Sequence, residues 1–225
     1  MRDISDCLEL VSPYTVLSKY YDHYTISNKK YFAKWPKFLI TNYQEIYNNL
    51  PTTLLDVACG TGKICSSIKK EYPDIEIDAC DMSDAMIEHA AEKSKINYFK
   101  ADMRTLSTQM KYDMAINTFD SVNYMLTIED FIAMLASVSS CLVREGLYIF
   151  DNSTTLNSRE NFDCFLNYEE KENYSLIHEA EFDSRDSLQI SRFTIFQKES
   201  VHWKKSIEVH KQKIWKCNEV KEMID

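Results

Sequence analysis

Leu54-Leu55-Asp56-Val57-Ala58-Cys59-Gly60-Thr61-Gly62 is the stretch on which the fold turns. It opens as a short apolar run interrupted by one acid and closes on two glycines. The chain holds only three glycines in 225 residues, where ordinary usage would give roughly 16. A buried strand that runs into Gly60-Thr61-Gly62 and then into a helical pattern is a strand–turn–helix unit. Glycine supplies backbone angles closed to other residues and lets a ligand approach the main chain. The helix that follows begins with unpaired N–H groups, so the turn is a candidate ligand cradle.

The pattern repeats outward from this unit. Residues 54–58 read as a strand, and the following helix puts Ile64, Ile68 and Tyr72 on one face. Residues 75–79 read as a second strand, and a helix from Ser83 buries Met86, Ile87, Ala90 and Ala91. Residues 96–100, 114–118 and 147–151 supply three more strands. Between the last two, Thr127 and Asp130 have the spacing of a helix cap, with Phe131, Met134, Val138 and Leu142 as the apolar stripe. Strands separated by helical patterns imply an α/β fold with a Rossmann-like, doubly wound parallel sheet and helices on both faces.

Upstream, Phe32, Trp35, Leu39, Tyr43, Ile46 and Leu50 have helical spacing. They predict a helix over 27–50, capped by Ser27 and kinked or split at Pro36. Downstream the period changes to two. Tyr174, Leu176, His178, Ala180 and Phe182 alternate, as do Val201, Trp203, Ile207, Val209 and Trp215. Half-buried antiparallel strands are expected there. The organisation expected is a helical cap over 1–50, a ligand-binding core over 51–158, a β-rich flap over 159–216 and the start of a final helix over 217–225.

The acids narrow the ligand. Asp56 lies four residues before Gly60. A carboxylate there would repel a pyrophosphate, whereas it suits the ammonium and sulfonium of S-adenosylmethionine. Cys65 stands where a dinucleotide loop wants a third Gly or Ala, and no Gly-Lys-Ser/Thr follows at Walker A spacing. Asp81, 21 residues after Gly60, is placed to accept ribose hydroxyls. Met82 is placed to pack on a purine, and Asp102 to meet the adenine amino group.

These segments together resemble the class I S-adenosylmethionine-dependent methyltransferases: LLDVACGTG (54–62), DMSDAMI (81–87), ADMR (101–104), YDMAINTFDSVNYM (112–125) and EGLYIFDNST (145–154). The lead-in YYDHYT…YFAKW (20–35) is similar to that of a small-molecule subgroup that includes amino-sugar N-methyltransferases. The resemblance implies that Asp56, Ala58, Gly60 and Gly62 surround the methionine portion of S-adenosylmethionine. It implies Asp81 and Met82 at ribose and adenine, Asp102 and Met103 beside adenine, and Thr118 near the sulfonium. Tyr21 and Tyr31 would close over the amino-acid end; Trp35 is a further position on that helix. Family members usually finish with a helix and an antiparallel strand pair, so the terminal strand pair is expected to be missing and one sheet edge bare, open to a homodimer or another partner.

For the acceptor side the candidates are Tyr21, Asp120, Tyr124 and His202, with Asn123, Asp151, Asn152 and His210 nearby in the pattern; none is singled out as a base. Transfer to N or to O of a small molecule fits equally. A catalytically idle, methyltransferase-like binding or regulatory subunit and an NAD-linked oxidoreductase are the alternatives.

Composition limits the rest. Net charge is −9, from 26 Lys and Arg against 35 Asp and Glu, with no basic run, which makes nucleic acid a poor partner. No apolar stretch approaches the ~20 residues that span a bilayer. The seven cysteines show no CxxC pairing, which fits reduced thiols and a cytoplasmic location; no metal site is expected.

Overall fold

The computed structural model describes residues 8–25 and 33–224. Five parallel strands form the first sheet: β2 (Thr53–Val57), β3 (Glu76–Asp81), β4 (Asn97–Lys100), β5 (Tyr112–Asn117) and β6 (Leu142–Phe150). Their order is β4-β3-β2-β5-β6. Strand order therefore reverses between β2 and β5, and the carboxyl ends of these two flank the crevice where open α/β sheets bind ligands. Among the described residues β6 pairs only with β5.

Alternation along β2 explains the two layers. Leu54 faces a cluster with α2 (Trp35–Tyr47) and α3 (Lys63–Glu71), built on Leu39, Ile40, Tyr43, Ile64 and Ile68. Leu55 and Val57 face the opposite cluster with α5 (Ile128–Cys141), through Phe131, Met134 and Val138. Helices on both faces follow directly from strands that are apolar on both sides. Between these, α4 (Asp84–Lys93) buries Met86 and Ala90. Ser83 caps α4 through Met86 N–H, and Thr127 caps α5 through Asp130 N–H, at the spacing the sequence shows.

Helix α2 differs from expectation. Pro36 sits in its first turn rather than bending it, because proline lacks only an N–H that the first turn leaves unpaired anyway. Ser27 and Phe32 lie outside the described residues.

The second sheet has the order β1-β10-β9-β8-β7: β1 (Leu8–Val11), β7 (Phe165–Glu170), β8 (Tyr174–Asp183), β9 (Leu188–Glu199) and β10 (His202–Lys213). Strands β7 to β10 are antiparallel neighbours, and β1 joins β10 in parallel, with Val11 opposite Glu208. The face of β8 is as the alternation predicts: Tyr174, Leu176, His178, Ala180 and Phe182 are buried. On β10 the reading is corrected. Ile207 and, just after the strand, Trp215 are buried as expected, but Trp203 and Val201 are exposed, and the buried residues also include Ser206, Glu208, His210 and Gln212. The polar face turns inward because it meets other polar groups there.

Helix α1 (Ser18–Thr25) packs on this sheet, with Leu17 and Val16 just ahead of it buried against Leu176, Phe193 and Ile195. Two further helices are α6 (Thr155–Asn161) and α7 (Cys217–Ile224). Polar joints weld the two sheets. Asn123 donates to Asn152 Oδ1 at 2.8 Å and to the Lys213 carbonyl at 2.6 Å, and accepts from Ser153 N–H at 2.9 Å. Asn152 donates to the Trp215 carbonyl, and the Trp215 indole to the Met125 carbonyl. Asn123 is fully buried, so Asn123→Ala strands several polar partners at once. Urea unfolding should show a loss of about 2–4 kcal/mol; a loss under about 0.5 kcal/mol would mean that water replaces these bonds freely.

Candidate active site

The turn after β2 is built on left-handed backbone. Ala58, Gly60 and Gly62 have φ of 56°, 56° and 70°. A Cβ on Gly62 would stand 2.5 Å from the Tyr98 hydroxyl and 3.0 Å from Ala90, so this glycine lets α3 pack closely. Gly60 is different: a Cβ there would meet nothing within 4 Å. Its backbone faces open space, as a ligand cradle requires.

Two carboxylates stand beside this turn. Asp56 is 1% exposed, and neither oxygen has a hydrogen-bond partner among the described residues. Burial pushes its carboxyl up to about 7. Asp81 accepts Gly60 N–H at 2.9 Å on one oxygen and Ser83 N–H at 2.9 Å on the other. Burial raises its carboxyl, against the pull of those amides. Each oxygen keeps a lone pair for a further donor.

Across the crevice, β5 is followed by two non-glycine residues in left-handed conformation, Phe119 (φ 61°) and Asp120 (φ 52°). Such strain persists only where surroundings hold it. Trp35 packs against the Phe119 ring at 5.6 Å. Asp120 N–H donates to Asp151 at 3.1 Å, and Gln212 donates to the Asp120 carboxylate at 3.0 Å. Burial, then the nearby Asp151, pushes the Asp120 carboxyl up to about 7. Tyr21 lies between the two acid groups: burial raises its hydroxyl, and Asp120 and Asp81 raise it further.

A hydrogen-bonded chain completes the group. The Tyr14 and Tyr124 hydroxyls are 2.8 Å apart, Tyr124 meets His210 Nδ1 at 2.7 Å, and His210 Nε2 meets Glu208 at 3.2 Å. The Tyr14 ring also packs edge-on against His210 and Tyr21. Burial holds both tyrosines protonated well above their ordinary range.

Residues 54–146, which carry the turn, both acids and Asp120, match the family model of a methyltransferase domain. Over 163 residues the chain is 27% identical to malonyl-[acyl-carrier protein] O-methyltransferase 1 of Ilyobacter polytropus, covering 68% of this chain and 58% of that relative's length. Among solved structures it is similar to an S-adenosylmethionine-dependent methyltransferase from Clostridium acetobutylicum, with a TM-score of 0.77, 22% identity and 94% and 85% of the two chains covered. The sugar N-methyltransferase KedS8 from Streptoalloteichus shares the fold at a TM-score of 0.75 and 17% identity, over 90% of this chain and 81% of that one.

Most residues singled out from sequence gather around the crevice at the carboxyl ends of β2 and β5. Met82 is exposed at the rim beside Asp81, and Thr118 is buried at the end of β5. Met103 packs inward, its sulfur taking a bond from Asn117. Asp102 is engaged elsewhere: Arg104 binds both its oxygens, at 3.0 Å and 2.6 Å, and also reaches Asp130. The Arg104 hydrogen bonds hold the Asp102 carboxyl below its usual range. Asn123 and Asn152 serve the joint between sheets. His202 lies at the exposed start of β10, eight residues from His210, about 27 Å along an extended strand; the histidine of the group is His210. Tyr31 lies outside the described residues. Sequence reading missed Tyr14, Glu208 and Gln212. Their signal was the spacing of Glu208, His210 and Gln212 at period two, polar residues on one face of a strand.

Asp56 and Asp120 have a pH signature. A carboxyl raised from an ordinary 3.8 to about 7 keeps its proton in the fold but not in the unfolded chain between those values. The stabilisation is full below the lower value and is lost as pH rises through the upper one. The ligand-free chain should therefore weaken from about pH 5 to pH 8. Asp56→Asn should shrink that loss by about 1 kcal/mol or more, read from urea midpoints at both pH values; an unchanged difference would show Asp56 already ionised in the fold.

Proposed function

We propose that the chain is an S-adenosylmethionine-dependent methyltransferase acting on a small molecule. The observation that carries this is Asp56: a buried carboxyl near Cys65 whose oxygens meet no partner at hydrogen-bond distance among the described residues, beside an open glycine turn. Burying such a group unpaired is costly, and a cation restores the balance. Asp56 suits the cofactor's ammonium, and the Ala58–Gly62 backbone its amino-acid portion. The spare lone pairs of Asp81 suit two ribose hydroxyls, and Met82 at the rim suits a purine face. Thr118 lies at the carboxyl end of β5, beside the place a sulfonium would take; Asp102 is left out, because Arg104 occupies its oxygens.

The cofactor supplies a methyl group already activated on a sulfonium, so the protein's part is to align and desolvate the acceptor. Asp120, Asp151 and the rings of Tyr14, Tyr21 and Tyr124 form an acidic, aromatic surround that attracts an organic cation. An amine must lose its proton before it can attack. A carboxyl raised to about 7, as Asp120 is, is matched to take that proton at neutral pH. Tyr124, bonded to Tyr14 and His210, is placed to orient the acceptor. This supports transfer to nitrogen over transfer to a hydroxyl.

Calorimetry with S-adenosylhomocysteine and with NADH tests the cofactor; binding of NADH alone would overturn the reading. Asp81→Ala should weaken S-adenosylhomocysteine at least about tenfold, because two hydrogen bonds to a charged group are lost. Unchanged affinity in the folded variant would remove Asp81 from the ribose role. Transfer of a radiolabelled methyl group should be detected on a panel of small amines and not on matched alcohols. On an accepted amine, Asp120→Asn should lower kcat on the order of a hundredfold with S-adenosylhomocysteine affinity nearly unchanged. A kcat within about twofold of the parent would dismiss Asp120 as the proton acceptor.

A further inference from the structure

Glu208 is fully buried in the middle of β10, far in sequence from the glycine turn. Its carboxylate grips one turn of backbone. One oxygen accepts Val16 N–H at 2.6 Å and Leu17 N–H at 2.9 Å; the other accepts Tyr14 N–H at 2.7 Å and meets His210 Nε2 at 3.2 Å. That turn leads straight into α1, whose free N-terminal amides favour an anion. The far side of α1 is tied to the cofactor side: Asp22 accepts the Thr61 hydroxyl at 2.6 Å and Lys93 at 2.5 Å. Burial alone would raise the Asp22 carboxyl, but these bonds outweigh it and hold it below the usual range. Thr61 lies between Gly60 and Gly62. Helix α1 is thus a strap fastened to the flap sheet ahead of its first residue and to the glycine turn at its middle, through Asp22 next to Tyr21.

We propose that Glu208 is a positioning residue for methyl transfer. It acts through the 14–17 turn, setting Tyr14 against Tyr124 and His210 and holding α1 so that Tyr21 and Asp22 meet the cofactor turn. This rests on the cofactor reading above and deepens it: the flap's own strand orders the cover of the cofactor site. A purely electrostatic role toward His210 would need no bond to the backbone amides, yet three of them converge on this carboxylate. Burying a carboxylate to fasten one turn is costly unless the position of that turn matters.

Glu208→Gln is the incisive change, because either orientation of the amide sets an NH2 against a backbone N–H. Ser206→Ala is the control: Ser206 is buried on the same strand, and its hydroxyl has no partner among the described residues. In the folded full chain, Glu208→Gln should speed hydrogen exchange of the Tyr14, Val16 and Leu17 amides at least about tenfold, with the β8 and β9 amides unchanged. It should weaken S-adenosylhomocysteine at least about fivefold and lower kcat more than it raises the acceptor's KM. Glu208→Asp should recover part of each, and Ser206→Ala should alter none. Unchanged exchange, or faster exchange with unchanged S-adenosylhomocysteine affinity, overturns the inference. If Glu208→Gln does not fold, Asp22→Asn releases the strap's second fastening; weaker S-adenosylhomocysteine with the 14–17 amides still protected supports the strap, and unchanged affinity sinks it. Failure of the parent chain to bind S-adenosylhomocysteine would sink the cofactor reading instead, and the exchange comparison would still decide whether Glu208 orders the turn.

Discussion

Four carboxyl groups crowded at the carboxyl ends of four neighbouring strands, away from bulk water, are the constraint on which the structure depends. Asp56 follows Leu55 on β2, Asp81 ends β3, and Asp120 follows β5 with Asp151 beside it. Each is raised above its ordinary range, with burial as the first cause. An isolated sheet would not keep four acids so close, since each would ionise by moving to water. Here the two apolar clusters on either face of β2 leave them nowhere to go. The fold therefore presents a crevice whose carboxyls hold their protons more tightly than in water, and whose natural complement, once those protons leave, is a cation. A pyrophosphate would add to the imbalance; an ammonium or sulfonium removes it. The same sheet with neutral residues at these strand ends would fold more easily and bind less selectively.

Both lips of the crevice store backbone strain as well. Ala58, Phe119 and Asp120 adopt left-handed angles without being glycine. Each such residue costs on the order of 1 kcal/mol or more, so the packing around it must hold it in place. Trp35 braces Phe119, and the Gln212 amide holds Asp120. The Gln212 contact joins a buried line of side chains from Ser158 through Gln189. The second sheet thus shapes the site from above while the parallel sheet supplies its floor.

The floor was legible in the sequence and the ceiling only as an antiparallel sheet with the buried face of β8, for a physical reason. Strands β2 to β6 and their helices announce themselves through local periodicity, and the scarcity of glycine marks the turn at Gly60 and Gly62. Asp56 and Asp81 are legible because a strand end fixes where they must lie. The contacts of Glu208 with Tyr14, Val16 and Leu17 span more than 190 residues, and no local spacing encodes them. β1 is four residues long, too short for its period to stand out, and it is created by pairing with β10. Apolar spacing marks only part of what β10 buries: Ile207 is inside as its pattern predicts, but the strand also buries Glu208, His210 and Gln212 against a polar neighbourhood. His202 and His210 look alike in a string of letters; only the register, with His202 opposite Glu199 and His210 opposite Ser191, separates the exposed end of the strand from its buried middle.

The two ways in which the second sheet meets the first differ in kind. Asn123, Asn152 and Trp215 use side chains to lock fixed main-chain carbonyls, a joint that can open only by unfolding the elements that carry it. Glu208 and Asp22 instead hold a single short helix ahead of its start and at its middle, alongside the bonds of Tyr20 to Gln197 and of Tyr24 to His178. Releasing either fastening leaves both sheets intact, since α1 contributes no strand to them. A ligand enclosed between the sheets needs both properties: a joint that keeps floor and ceiling in register, and a cover whose fastening is weaker than the fold. The joint relies on neutral amides, whereas the strap adds two carboxylates to its neutral contacts, and carboxylate contacts are the ones that a cationic ligand, by its own field, can strengthen or weaken on arrival.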